Sequence, residues 1–288
     1  MDPRARPYRS VLYIPGSRDR ALEKARDLAV DAIIFDLEDA VAADEKSNAR
    51  VLLATRLAEA GYGARAQIVR INGMDTPWGA DDLAAIAAIG PEAILLPKVG
   101  SAADVAAVAA RIDAIPAARH TRIWAMMETP MGVLNAAQIA QAPRMAGFVM
   151  GTNDLAKDLG SRTRGALHMA LQHCLLAARA AGIICVDGVY NAFRDEAGLA
   201  AECAEGRDFG FDGKTLIHPA QVAIANAVFA PTEAEIDLAR RQITAYEAAR
   251  AAGQGVAVVD GRIVENLHVD TARATLAKAD AIAQGEAA

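Results

Sequence analysis

Two carboxylates are placed to do chemistry together. Glu128 and Asp154 each follow a short apolar run, IWAMM and FVM, with the helix-length stretch MGVLNAAQIAQ between them. Runs apolar on both faces read as buried parallel strands. A strand, helix, strand unit crosses over right-handedly, so both strand ends open on one side of the sheet. Acids delivered to neighbouring strand ends suit a hard cation such as Mg2+, which takes one or two protein carboxylates and leaves its other positions to water and substrate. The competing reading of Asp154 is a helix N-cap before LAKDL. The settings, Glu128 ahead of Thr-Pro-Met-Gly and Asp154 closing Gly-Thr-Asn-Asp, favour the joint site.

Other polar groups follow other apolar runs. Asp36, Glu38 and Asp39 stack negative charge within DLED, where they either support a cation or form an exposed acidic turn. Arg70 in VRING is the candidate fixed cation, able to grip a carboxylate or a developing oxyanion, or simply to pair with Asp36 or Glu38. Lys98 offers a similar charge or an imine-forming amine, and the carboxylate pair favours the metal route. Pro15-Gly16-Ser17-Arg18 opens a helix with Arg18, Arg20 and Lys24 close by. That is an anion site for phosphates, or else an ordinary Ser17 cap beside a solvated basic face. His218, in IHP, reads as a core or supporting histidine rather than a base.

Eight short runs must position these groups: SVLYI (10–14), AIIFD (32–36), AQIVRI (66–71), AILLPK (93–98), RIWAMM (122–127), GFVM (147–150), IICVD (183–187) and KTLIH (214–218). Helical stretches separate them, the order of a (β/α)8 TIM barrel, in which active-site residues gather at the carboxyl ends of the strands. The barrel domain is expected over residues 1–230. Residues 231–288 form a C-terminal helical appendage: a charged helix (232–251), a Gly-Gln-Gly break, the segment VAVVDGRIVEN and a last helix (269–283). Such an appendage either packs on a neighbouring subunit or caps its own fold.

Composition narrows the class. With 288 residues, 53% hydrophobic and 23% charged, the chain has enough apolar material for one large core, and its alanine-rich helices suit close packing on a sheet. A formal charge of −6 argues against a nucleic-acid surface. No apolar run reaches the length of a membrane span, and the basic start, MDPRARPYRS, lacks the apolar core of a signal peptide. Three cysteines, Cys174, Cys185 and Cys203, have no metal-type spacing and point to a reducing cytoplasm.

Taken together, LYIPGSR, FDLEDAV, VRING, LPKV, METPMGVLNA, GTNDLAKDLG and GFDGKTLIHPAQV resemble the CoA-ester lyases of the HpcH/HpaI aldolase-citrate lyase family, which includes the citrate lyase beta subunit, malyl-CoA lyase and citramalyl-CoA lyase. The motifs run in order along nearly the whole chain. The resemblance implies a (β/α)8 barrel, Mg2+, homotrimers or hexamers, and reversible cleavage of a 3-hydroxyacyl-CoA into an acyl-CoA and a 2-oxo acid. By motif it implies metal ligands at Glu128 and Asp154, with Glu128 also meeting substrate. Arg70 faces the reacting carbonyl or carboxylate, and Arg18 and Lys24 meet CoA phosphates; beside the resemblance, Glu38 and Asp39 of the acidic turn are expected, with Arg70 and Glu265, to be catalytic. One departure stands out. Where malyl- and citramalyl-CoA lyases resemble a Gly-x-Met-Ile-Asp pattern whose Asp serves a neighbour's active site, this chain has Gly261-Arg262-Ile263-Val264-Glu265. Glu265 keeps the carboxylate and moves it by roughly an ångström, enough to redirect catalysis.

The expected activity is therefore Mg2+-dependent carbon–carbon lysis of a malyl-, citramalyl- or citryl-CoA. Malyl-CoA-type thioester hydrolysis, a pyruvate-type aldol reaction on free acids, and service as a carrier-protein-dependent citrate lyase subunit are the alternatives.

Overall fold

The computed structural model describes residues 6–286; residues 1–5, where the basic N-terminal stretch begins, lie outside them. Eight parallel strands close into a barrel in chain order: β1 Ser10–Pro15, β2 Ala32–Asp36, β3 Ala66–Arg70, β4 Ala93–Leu96, β5 Arg122–Met127, β6 Met145–Met150, β7 Ile184–Asp187 and β8 Gly213–Leu216. Closure pairs β1 with β8, Ser10 opposite Lys214 and Leu12 opposite Leu216. The surrounding helices are α1 Asp19–Lys24, α2 Lys46–Ala58, α3 Gly79–Ile89, α4 Ala102–Asp113, α5 Pro130–Leu134, α6 Ala136–Ala140, α7 Thr152–Leu159, α8 His168–Ala181, α9 Glu196–Phe209 and α10 Val222–Phe229. The chain is a (β/α)8 TIM barrel.

Strand alternation divides the core in two. Val11, Ile34, Ile68, Leu95, Trp124, Met126, Val149 and Val186 form one cluster, which fills the barrel. Their sequence neighbours Leu12, Ile33, Phe35, Val69, Ile94, Phe148 and Cys185 belong to the other, under the helices. Trp124 is accommodated because residue 147 is glycine: a Cβ there would stand 2.5 Å from the indole ring. Continued to the strand ends, this alternation turns Tyr13, Asp36, Arg70, Glu128 and Gly151 inward and Asp187 outward.

Several boundaries differ from the sequence reading. The β5–β6 crossover is two short helices, α5 and α6, rather than one, because Asn135 breaks it and donates its side-chain N–H to the Gly100 carbonyl at 2.8 Å. AILLPK stops pairing at Leu96, and Ile217 and His218 lie beyond β8, where the chain leaves the barrel.

The described residues fall into two compact units, Tyr8–Phe229 and a C-terminal unit from Ala230 on, with which residues 6 and 7 are grouped. The second holds α11 Glu233–Ala251, strands β9 Ala257–Val259 and β10 Arg262–Val264, and α12 Asn266–Glu286. VAVVDGRIVEN is thus an antiparallel hairpin, turned by Asp260 (φ 48) and Gly261 (φ 74), the two left-handed residues a tight hairpin turn demands. Ala257, Val259 and Val264 pack with Tyr246, Ala249 and Val269 in a core of their own. No helix among the described residues is long and apolar enough to cross a membrane.

Candidate active site

A cavity of about 360 Å³ opens where the barrel strands end, within the size range of small-molecule sites. Arg70, Asp36, Asp39, Glu128 and Asp154 all line it, with Tyr13 and Met126 at its floor. β5 delivers Glu128, which is only 3% exposed, and its Oε1 accepts the Lys98 backbone N–H at 2.7 Å. Burial pushes its carboxyl up to about 7 against the lowering effect of that N–H; Arg70 also lowers it and the neighbouring Asp154 raises it. Gly151 makes room, since a Cβ there would sit 2.3 Å from Glu128 Cβ and 2.6 Å from its Oε2.

Asp154 is half-buried in the first turn of α7, whose N-cap is Gly151; it does not cap the helix. It makes no hydrogen bond or ion pair among the described residues, so its carboxylate is available to the cavity. Among those residues no three His, Cys, Asp or Glu side chains gather to hold a metal. The donor set is therefore a carboxylate pair with open space around it, which fits a hard dication that keeps water or substrate in its remaining positions.

The DLED turn is half interior. Asp36 and Glu38 are buried and Asp39 is exposed. Asp36 grips Arg70 with both oxygens, Oδ1 at 2.8 Å from Nε and Oδ2 at 2.6 Å from Nη2. Arg70 Nη1 lies 2.6 Å from Glu38 Oε2, an ion pair without hydrogen-bond geometry, and donates to Asp39 Oδ2 at 3.3 Å. Its guanidinium also rests 5.0 Å from the centre of the Tyr13 ring. Arg70 therefore both lines the cavity and serves as the structural partner of Asp36. Burial drives Glu38 up to about 7, opposed by Arg70 and reinforced by Asp39, Glu128 and Asp36. Such a cluster of like charges relaxes when a cation arrives.

Lys98 is exposed, and its left-handed backbone (φ 52) aims its N–H at Glu128. Burial lowers its ammonium, but the carboxylates of Glu38, Asp154, Glu128 and Asp39 outweigh that and raise it. A charged ammonium is the wrong form for an imine. Arg18, Arg20 and Lys24 are exposed around α1, their side chains without an ion pair among the described residues, and the N-cap of α1 is Arg18 and not Ser17. His218 is exposed rather than core: it stacks on Phe193 and accepts the Ala220 N–H. Glu265 belongs to the C-terminal unit, exposed at the foot of β10, where its N–H donates to His268 Nδ1. Asp187, at the end of the run IICVD, faces the helix layer, where Lys214 and Arg164 pair with it.

Three residues that matter here were not singled out. Tyr13 floors the cavity, and burial drives its hydroxyl far above the ordinary range. Buried Lys46 donates to the Leu37 and Glu38 carbonyls, and Asn72 donates to that of Leu37, so together they fix the acidic turn. The place of Tyr13 near the end of the SVLYI run was the available signal for it. Lys46 and Asn72 carry none, because their partners in the turn are backbone carbonyls, which no side-chain pattern marks.

The family model described as HpcH/HpaI aldolase/citrate lyase matches residues 9–219. The (3S)-malyl-CoA thioesterase of Cereibacter sphaeroides (strain KD131 / KCTC 12085) is 67% identical, over 97% of each chain. The L-malyl-CoA/beta-methylmalyl-CoA lyase of Cereibacter sphaeroides (strain ATCC 17025 / ATH 2.4.3) is 36% identical, again over 97% of each. Among solved structures, protein CitE from Mycobacterium tuberculosis in complex with magnesium, acetoacetate and coenzyme A is similar at a TM-score of 0.79 and 29% identity, covering 96% of this chain and 99% of that one. With its barrel, its strand-end carboxylates and these relatives, the chain belongs to the HpcH/HpaI aldolase/citrate lyase family.

Proposed function

We propose that this protein is a Mg2+-dependent thioesterase that hydrolyses (3S)-malyl-CoA to malate and free CoA. The observation that carries the reading is the 67% identity to a (3S)-malyl-CoA thioesterase across 97% of both chains, combined with a cavity whose acids suit a hard cation. Glu128 and Asp154 would be its Mg2+ ligands, as two acids lining one cavity; the CitE complex with magnesium supports the choice of cation. Mg2+ supplies charge neutralisation for the carboxylate and hydroxyl of the substrate.

The chain's own groups do the rest. Arg70, fixed by Asp36, faces the polarised end of the substrate, and Glu38 and Asp39 hold its fork in place. Arg18 and Lys24 attract the CoA phosphates from solvent. Water attacks the thioester carbonyl, the new C–O bond displaces the C–S bond, the proton of water passes to a carboxylate base, and the thiolate leaves. Glu265, supplied by the C-terminal unit of a neighbouring copy in a homo-oligomer, is that base.

Carbon–carbon cleavage is the second reading, favoured by the 36% identity to an L-malyl-CoA/beta-methylmalyl-CoA lyase. The two separate on products. Incubated with Mg2+ and a panel of 3-hydroxyacyl-CoA esters, the purified chain is expected to release free thiol from malyl-CoA in step with substrate loss and no 2-oxo acid. Appearance of 2-oxo acid without free thiol would establish the lyase reading instead.

A further inference from the structure

The two acids of the site are held by unrelated means. Glu128 is fixed by the Lys98 N–H and by contact with Gly151. Asp154 sits in a helix turn whose N-cap offers no side-chain hydrogen bond. What steadies that turn comes from the loop after β7, residues 188–191.

Two contacts reach across. A Cβ at Gly188 would lie 2.4 Å from Thr152 Oγ1 and 2.8 Å from the Met150 carbonyl, so the loop backbone rests directly on the first residue of α7. Three residues on, Asn191 Nδ2 donates to Asn153 Oδ1 at 2.8 Å, and Asn153 Nδ2 returns a longer bond to Asn191 Oδ1 at 3.4 Å. The loop is anchored from behind by two side chains with no exposure. Lys214 Nζ donates to the Gly188 carbonyl at 2.6 Å and to Asp187 Oδ2 at 2.9 Å. Gln221 Nε2 donates to the Tyr190 carbonyl at 2.9 Å while its Oε1 accepts the N–H groups of Ile217 and His218. A rigid loop thus presses on a turn that has no cap of its own.

We propose that Asn191 is a positioning residue for the cation site: through Asn153 it fixes the α7 turn so that the Asp154 carboxylate is presented to the cavity beside Glu128. The inference rests on the reading that Glu128 and Asp154 hold Mg2+. Residues that orient a metal ligand without touching the metal commonly change affinity by about 10- to 100-fold when removed. Both asparagines are exposed, so replacing them disturbs no core.

The test is Mg2+ binding to the full-length, substrate-free protein by calorimetry, for wild type, Asn191→Ala, Asn153→Ala, the double variant and Glu128→Gln. Each single asparagine variant is expected to bind Mg2+ about tenfold more weakly. The double variant is expected to lose no more than either single one, because the pair acts as one contact. Thermal unfolding in EDTA is expected to match wild type for all three, which a merely structural role would not give. Wild-type affinity in Asn191→Ala, or losses that simply add in the double variant, would overturn the positioning role while leaving the metal reading intact. Wild-type affinity in Glu128→Gln, or no Mg2+ binding by wild type, would overturn the metal reading and the positioning role with it.

Discussion

The backbone N–H of Lys98 donates to Glu128 Oε1 at 2.7 Å from a left-handed residue that is not glycine. Such a conformation costs on the order of 1 kcal/mol and persists where its surroundings enforce it. Here it turns one carboxylate oxygen toward the backbone and leaves Oε2 for the cavity. The strain and the acid's orientation are two sides of one arrangement.

Gly151 is the companion of that arrangement, because any side chain there collides with Glu128. Gly151→Ala is expected to leave the barrel folded and to lower kcat/KM by about 100-fold, since displacements near an ångström cost that much. Circular dichroism and steady-state kinetics check both halves. Activity within twofold of wild type would mean that the Glu128 position is not critical.

The acids also set a pH dependence. Glu128 and Glu38 are both raised from an ordinary 4.5 to about 7 in the folded, metal-free protein. Between those values the folded state binds more protons than the unfolded chain, so stability is present below 4.5 and is lost as pH rises through 7. A shift of this size at one buried acid corresponds to about 3 kcal/mol, or roughly 5 to 10 °C in a chain this long. Metal-free protein is therefore expected to melt lower at pH 8 than at pH 5.5, with Mg2+ raising the Tm more at pH 8. Glu128→Gln is expected to flatten both trends. A Tm that climbs from pH 5.5 to 8 in EDTA would contradict the assignment.

Arg18 and Lys24 are exposed cations near α1, without ion-pair partners among the described residues. Reversing both charges is expected to raise KM for CoA esters several-fold and flatten its salt dependence while sparing kcat, because remote phosphate contacts bind ground and transition states alike. A KM that does not move identifies them as an ordinary solvated face.

Glu265 stands on the C-terminal hairpin unit. Homo-oligomers of Glu265→Ala and of Glu128→Ala are each expected to be nearly inactive, and co-folded mixtures to regain activity at sites that combine an intact barrel with an intact hairpin unit. Verified mixtures with no recovery reject the sharing of sites, and a fully active Glu265→Ala rejects the catalytic role.

Much of this architecture was legible because parallel strands buried on both faces announce themselves as apolar runs. Punctuation by IPGSR, LEDA and GTND marked where they stop. The same property hid which way each strand-end side chain points. With both faces apolar there is no alternation to read, and nothing in IICVD marks Asp187 as turned outward, to its ion pair with Lys214. Arg70 had two readings in the sequence; the structure shows its pairing with Asp36 and places it in the lining of the cavity. The clasp joins Asn153, in the first turn of α7, to Asn191, in a loop 38 residues on, and the composition of neither segment points to the other. Strand limits overshot at AILLPK, where Pro97 and Lys98 follow the ladder, and at KTLIH, where Ile217 and His218 do. The β5–β6 crossover broke because the Asn135 side chain found a backbone carbonyl across the fold.

The most direct test follows a single turnover of malyl-CoA in ¹⁸O-enriched water with Mg2+, comparing wild type with Glu128→Gln by mass spectrometry. Hydrolysis at the thioester carbonyl predicts malate carrying one solvent oxygen in a carboxyl group and an equal amount of free CoA, with neither from Glu128→Gln. Acetyl-CoA and glyoxylate as the products of wild type, with no labelled malate, would contradict it.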